Sequence, residues 1–452
     1  MPEITIARRT ALKLLTGVAL LPIVGRPALA AAAPGVDFIV IADLHSAYDH
    51  LGQLLAAIET HVATASRPCV VLFNGDLFEV GNVVAKRSSG AIDWAFLKAL
   101  ADIAPTVFNL GNHEPDLDND LAHFVTRAGD LGITVLTNII DVRTGAGYAP
   151  TSASLEVGAQ TVTIAACATD NLFTYPKPTR AQLSIPRPAE WAAASLPGLL
   201  KAGGINVMLS HAGVVADKAI LPLLPDGTLF VGGHDHLNLV HAEGNTRYLH
   251  TGSWSEALTV ATVAGPGAPA EIRRIGIDPA APASDRLAGL IADVLAQHLT
   301  KDDLAPVGRA DAARTTDEAG LFAAASLAAA VGADVGFIGH TTFGAGLPKG
   351  PVSRYAFDAC VRFEGKLMTA EVDAATLAAI LARCNQFGDF PFAARTGDYL
   401  YAAAPNGDKA RYRLVCNDWS ATNQRTYFGR DDLAFTEVPD RSVKATVIAA
   451  LA

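Results

Sequence analysis

Phe108-Asn109-Leu110-Gly111-Asn112-His113-Glu114-Pro115-Asp116 reads as an apolar strand entering a tight glycine turn, which sets Asn112 and His113 at the end of a sheet. Alone, Gly-Asn-His is a weak signal. Here it stands third in a series with Asp43-Leu44-His45, Gly75-Asp76, Ser210-His211-Ala212-Gly213 and Gly233-His234-Asp235-His236. Each follows a short apolar, β-rich run, at residues 38–41, 70–73, 106–108, 205–209 and 229–231. One Asp-x-His is compatible with a capped loop bearing a surface histidine, and one Gly-Asp with a turn. Five strand ends carrying Asp, Asn or His converge on a metal site.

The donors are carboxylate, amide and imidazole, without sulfur. They suit Mn²⁺, Zn²⁺, Fe or Co²⁺, and nothing in the sequence selects among these. There are enough donors for two divalent ions. A pair about 3.5–4 Å apart needs a bridging carboxylate, for which Asp76 is the natural candidate. Such a pair clamps a phosphoryl oxygen and lowers the pKa of a bridging water.

Half of the 452 residues are hydrophobic, ample for sizeable cores, and the length suits two domains. A formal charge of −10 argues against nonspecific binding to a nucleic-acid polymer or an anionic membrane. Five cysteines (Cys69, Cys167, Cys360, Cys384, Cys416) are too few and too scattered for a disulfide framework, and buried free thiols are expected. Arg8-Arg9 precede an apolar run at residues 14–24 that ends in Ala28-Leu29-Ala30, a small-x-small cleavage pattern. The run is too short for a membrane helix of about 20 residues. It resembles a twin-arginine signal, which implies export by the twin-arginine translocase and a periplasmic or secreted protein, off the membrane after cleavage. A general secretory signal holding two arginines is the alternative.

The expected organisation is a signal at residues 1–33, a catalytic domain at 34–278, a linker with an interdomain helix at 279–303, and a second domain at 304–452. In the catalytic domain, helical stretches at 49–63, 92–103 and 120–128 alternate with strands, and denser strands follow at 154–157, 161–166, 247–250 and 258–263. That order suggests an α/β layered sandwich. The Pro/Ala-rich segment 278–283 reads as a break, and Ser284 as the cap of an amphipathic helix reaching Thr300. The second domain opens with an Ala-rich helix at 321–331, followed by strands near 335–338, 359–361, 366–372 and 410–416.

Taken together, Asp43-x-His45, Gly75-Asp76, Gly111-Asn112-His113-Glu114, His211 and Gly233-His234-Asp235-His236 resemble the calcineurin-like metallophosphoesterases. Residues 111–116 resemble the Gly-Asn-His-Glu-Phe-Asp of the 5′-nucleotidase branch, with Pro115 in place of the aromatic residue. The resemblance implies a four-layer αββα core. It implies one ion held by Asp43, His45, Asp76 and His236, and another held by Asp76, Asn112, His211 and His234. His113 would be a non-ligand histidine that stabilises the phosphoryl group and the leaving oxygen, oriented by Asp116. From the residues alone, His113 beside Asn112 also reads as a ligand.

The C-terminal part resembles the α+β substrate-binding domain of the same branch, in Ala333-Asp334-Val335, Leu347-Pro348-Lys349-Gly350-Pro351-Val352 and Asn417-Asp418-Trp419. Phe363 and Tyr427 fall where the branch has two aromatics that sandwich a base. Stacking is worth about 1–3 kcal/mol per ring. Departures accompany the match. Gly344 stands where an arginine is usual, and Asn423-Gln424-Arg425-Thr426 replaces Gly-Gly-Asp-Gly, so that Arg425 inverts the charge expected at the ribose. Arg362 and Glu364 flank Phe363 where Pro and Gly are usual. Arg425, Arg362 and His340 are candidates for an extra anionic group. The resemblance thus implies an exported hydrolase of a small-molecule phosphoester, either a 5′-nucleotidase or a 2′,3′-cyclic phosphodiesterase. The related thiosulfohydrolase of sulfur oxidation and a metal-containing binding protein are the alternatives.

Overall fold

The computed structural model describes residues 34–451, so the export signal expected at residues 1–33 lies outside the described residues. Two six-stranded sheets form the first part of the chain. One runs in the order Glu271–Gly276, Ala257–Val263, Val36–Ile41, Cys69–Asn74, Thr106–Asn109, Thr134–Leu136. The other runs Asn238–Glu243, Thr246–Thr251, Leu229–Gly232, Ile205–His211, Gln160–Ala168, Ser152–Val157.

The central strands are parallel and buried on both faces, which is why they read as unbroken apolar runs rather than alternating ones. Alternate residues still part company. Phe38 and Val40 face Ile164, Val207 and Leu209 in the core between the sheets. Ile39 and Ile41 face the opposite way, onto Leu54, Leu55 and Ile58 of the Leu51–Thr64 helix. That helix, Ala91–Ile103 and Leu121–Asp130 cover the first sheet, while Pro188–Leu199 and Val214–Ile220 cover the second. The order of layers is αββα.

The second domain is built on a five-stranded sheet in the order Leu400–Ala402, Val335–Gly339, Arg411–Asn417, Lys366–Asp373, Thr436–Ser442. The Ala-rich helix is longer than its apolar stretch suggests and spans Thr316–Val331. It starts at a capping box, in which Thr315 Oγ1 accepts from Glu318 N and Glu318 Oε2 accepts from Thr315 N. Two expectations are corrected. Residues 359–361 are not a strand: Arg354–Cys360 is a helix capped by Ser353, and only Val361 makes a bridge, to Phe343. Ser284 does not cap the interdomain helix, which spans Ala288–His298, because a turn at 284–287 intervenes and Leu287 takes the cap position. All five cysteines are buried and free. No helix among the described residues is long and apolar enough to cross a membrane.

Candidate metal centre

Five strand ends meet at one edge of the paired sheets. Turns there must be tight, and the backbone shows it. Asp43, His45, Asp76, His234 and His236 all have φ between 47° and 79°, a region L-residues enter at a cost of about 1–3 kcal/mol each. Glycines clear the room this requires. A Cβ on Gly111 would lie 2.3 Å from Asp76 Oδ1, and one on Gly75 would lie 2.4 Å from His211 Nδ1.

The side chains form two groups that share Asp76. In one, Asp43, His45 and His236 place ligand atoms within 4.8 Å of one another. In the other, Asp76, His211 and His234 do the same. Asp76 Oδ2 lies 3.0 Å from His211 Nε2 and 3.7 Å from His45 Nε2, so one carboxylate addresses both groups. His45 Nε2 and His236 Nε2 face each other at 2.9 Å. Asn112 Oδ1 is buried without a partner, while its Nδ2 donates to Thr174 O.

These residues fit divalent ions on chemistry visible in the fold. Asn112 Oδ1 is buried without a hydrogen-bond partner, a costly state that a cation or water relieves, and His211 Nε2 has only the Asp76 carboxylate, 3.0 Å away, beside it. Burial pushes His234 down to about 3, and His45 and His236 well below the ordinary histidine value, so all three are neutral donors. Burial pushes Asp43 up to about 8, against the pull of His211. A buried carboxylate of that kind calls for positive charge.

Supporting contacts hold the donors in place. His211 Nδ1 donates to Asn74 O at 2.7 Å, which aims Nε2 at Asp76. Asp43 Oδ1 accepts from His234 N, tying the first strand end to the last. Glu114 accepts from Leu77 N at 2.8 Å and Gly111 N at 2.6 Å, and so staples the second strand-end loop to the third. Asp235 accepts from Val214 N, fixing the turn after His211. These supporting roles were not read from the sequence, since a buried Glu or Asp inside a motif carries no mark of what it accepts from.

His113 borders both groups: its ring is 4.7 Å from that of His45, and it places a ring nitrogen within 4.8 Å of donor atoms of His45 and Asp76. Its Nδ1 is 2.8 Å from Asp116 Oδ2, which also accepts from Val80 N. Burial alone would lower His113, but Asp116 and Asp76 outweigh it and hold the imidazole up at about 10.

The residues expected to bind substrate separate. Arg362 and Phe363 line a cavity of about 270 Å³ beside His45. Phe363 is 47% exposed there. His340 is buried where the two parts of the chain meet, stacked on Tyr399, with Nε2 2.9 Å from Asp235 O. Tyr427 does not face the cavity: its ring is buried in the second domain's own core, and its hydroxyl accepts from Trp419 Nε1. Arg425 is likewise away from the cavity, on the surface, paired with Asp431. The expected Phe363–Tyr427 sandwich is therefore not formed. Trp254, unmarked by any motif, packs instead against both His45 and His236, at 4.7 Å and 4.8 Å. Glu79 was also missed. It lies three residues after Asp76, with Oε2 3.7 Å from His45 Nδ1.

The whole arrangement has known counterparts. The chain is similar in structure to a 5′-nucleotidase precursor from Thermus thermophilus, at 18% identity and a TM-score of 0.61, over 92% of this chain and 96% of that one. It is also similar to the Thermus thermophilus sulfate thiohydrolase SoxB, at 14% identity and a TM-score of 0.62, over 92% and 94%. A third is the 5′-nucleotidase of Candida albicans, at 13% identity and a TM-score of 0.58, over 93% and 98%. No curated protein matches the sequence. Residues 36–238, which hold all five strand ends, match the family model described as calcineurin-like phosphoesterase. The chain carries a calcineurin-like phosphoesterase domain, joined to a second domain of the 5′-nucleotidase fold, and is a metal-dependent phosphoester hydrolase.

Proposed function

We propose that the protein hydrolyses small phosphoesters, with nucleotides or closely related compounds as substrates, after export from the cytoplasm through the twin-arginine route. Asp43, His45, Asp76 and His236 would hold one divalent ion, and Asp76, Asn112, His211 and His234 the other. When bound, the ions supply Lewis acidity toward the phosphoryl group and a nucleophile of low pKa. The chain's own residues do the rest. Asp76 spans both sites. Asp116 engages His113 Nδ1, which leaves Nε2 as the atom that would deliver a proton to the departing oxygen. Phe363 offers one open aromatic face to the leaving group. The observation that carries this reading is the His113–Asp116 pair, 2.8 Å apart, beside two clusters of Asp and His donors. A site that only stores metal has no use for a non-ligand acid–base pair.

The test is His113→Ala assayed with nucleoside 5′- and 3′-monophosphates, 2′,3′-cyclic nucleotides and an aryl phosphate, with metal content measured in parallel. Loss of about 10²–10⁴ in kcat with two ions retained is expected for removal of a general acid. Loss of metal instead would make His113 a ligand. Turnover of the aryl ester alone would retain the hydrolase and discard the nucleotide.

A further inference from the structure

Of the two candidate arginines, Arg362 is the one that the second domain brings to the cavity beside His45. It follows the Arg354–Cys360 helix, and its stem crosses Gly344, where a Cβ would lie 2.7 Å from Arg362 Cδ. The guanidinium is held between two rings, 4.5 Å from Trp254 and 4.8 Å from Phe363. It meets Glu79 of the catalytic domain in an ion pair whose side chains are each 7% exposed. Arg362 Nη1 donates to Thr341 O, while Nε and Nη2 make no hydrogen bond. Glu79 Oε1 accepts from Gly81 N at 2.8 Å, while Oε2 lies next to His45.

Such a pair is a poor device for stability, because the cost of desolvating two charges offsets their attraction. Burial in fact lowers Arg362 to about 9. The guanidinium is a rigid fork shaped for two oxygens of a carboxylate or phosphate, already oriented by its aromatic walls. It lines the same cavity as His45, with Glu79 between the two. The near side of that centre is otherwise acidic, with Asp43, Asp76, Glu79 and Asp116 all buried. With ions bound, Asp43 and Asp76 are offset, and Glu79 is the carboxylate that stands between Arg362 and an arriving anion.

We propose that Arg362 selects the anionic group of the substrate, and that Glu79 is an internal competitor displaced from Arg362 when a phosphoryl group enters. The inference rests on the phosphoester reading. It has a consequence of opposite signs. Removing the cation weakens anion binding, and removing the competitor strengthens it. A pair that merely joined two domains would respond in the same direction to both changes.

The experiment is calorimetric titration of inorganic phosphate into the manganese-loaded protein, with metal content and thermal unfolding followed for each variant. Glu79→Gln keeps the acceptor for Gly81 N and removes the charge. It is expected to bind phosphate about tenfold more tightly than the unmodified protein, and Arg362→Gln at least about tenfold more weakly, as for loss of one buried charged partner. The double variant should be as weak as Arg362→Gln alone, and Arg362→Lys, with charge but no fork, intermediate. Unchanged or weaker binding by Glu79→Gln, loss of its metal or fold, or no binding by either protein overturns the proposal. Phosphate binding needs no turnover, so failure to hydrolyse any ester would sink the substrate reading and leave this comparison decisive.

Discussion

Asp76 carries more of this site than any other residue. It addresses both ligand groups, and its Oδ1 accepts from His113 N at 2.8 Å. Burial alone would raise its pKa, but His211 and His113 hold it well below the usual carboxylate range. Its place between the two groups was legible because Gly-Asp at a strand end is a local signal. Arg425 shows the opposite case. Its sequence neighbours suggested a ribose-side charge, yet its side chain is 78% exposed and touches only Asp431. Exposed pairs contribute about 0–1 kcal/mol, so Arg425→Ala should leave kcat, KM and melting temperature essentially unchanged. A rise in KM of tenfold or more, measured on any hydrolysed substrate, would return Arg425 to the site.

At the scale of elements, the strand ends act through the turns that follow them. Gly111 shares its space with Asp76 and His211, so Gly111→Ala must push the Thr106–Asn109 strand end away from its neighbours. We expect the variant to fold and to lose at least one ion per chain, read by metal analysis. Retention of both ions would show the turn to be more yielding than its contacts suggest. The Ala91–Ile103 helix holds a different feature. Asp93 is fully buried in its first turn, accepts from Tyr48 Oη at 2.6 Å, and has an unpartnered Oδ1. Burial raises it from 3.8 to about 7. The folded protein therefore holds a proton that the unfolded chain releases. This contribution is fully present below about pH 4 and lost as the pH rises through about 7. It amounts to something on the order of 4 kcal/mol at about 1.4 kcal/mol per tenfold. Asp93→Asn should flatten the fall in stability between pH 5 and pH 8, measured by denaturant unfolding. An unchanged slope would place the titration elsewhere.

In the whole molecule, the two domains are fastened through polar contacts as well as a shared apolar core. Lys218 Nζ donates to Ala393 O and Arg395 O, Thr316 Oγ1 donates to Glu256 Oε1, and Arg87 pairs with Asp303. His340 and Arg362 bring the second domain directly against Asp235 and Glu79, which neighbour the clustered Asp and His donors. The ions are tied to global stability by the same geometry, because their removal leaves several buried carboxylates facing one another. At a hundredfold excess over Kd, bound ligand contributes about 2.7 kcal/mol. Chelation should therefore lower the melting temperature by about 5–10 °C, restored on adding Mn²⁺ or Zn²⁺. A chelation-independent transition would mean the described fold does not depend on its metal centre.

The catalytic half was legible in the sequence because its signals are local. The first donor of each strand end follows its apolar run by two to four residues, and a strand of that kind must end where the sheet ends. Periodicity placed the helices at 49–63, 92–103 and 120–128 within a few residues of Leu51–Thr64, Ala91–Ile103 and Leu121–Asp130. What only the tertiary structure decided lies between distant segments. Whether Tyr427 lined a cavity or filled a core depended on which faces of the second domain packed together, and its apolar setting is indistinguishable from either in sequence. The meeting of Glu79 with Arg362, of Trp254 with His45 and His236, and of His340 with Asp235 joins residues with no shared period or motif. Local propensity names the element and its end. Burial and partnership across hundreds of residues arise only when the layers close on one another.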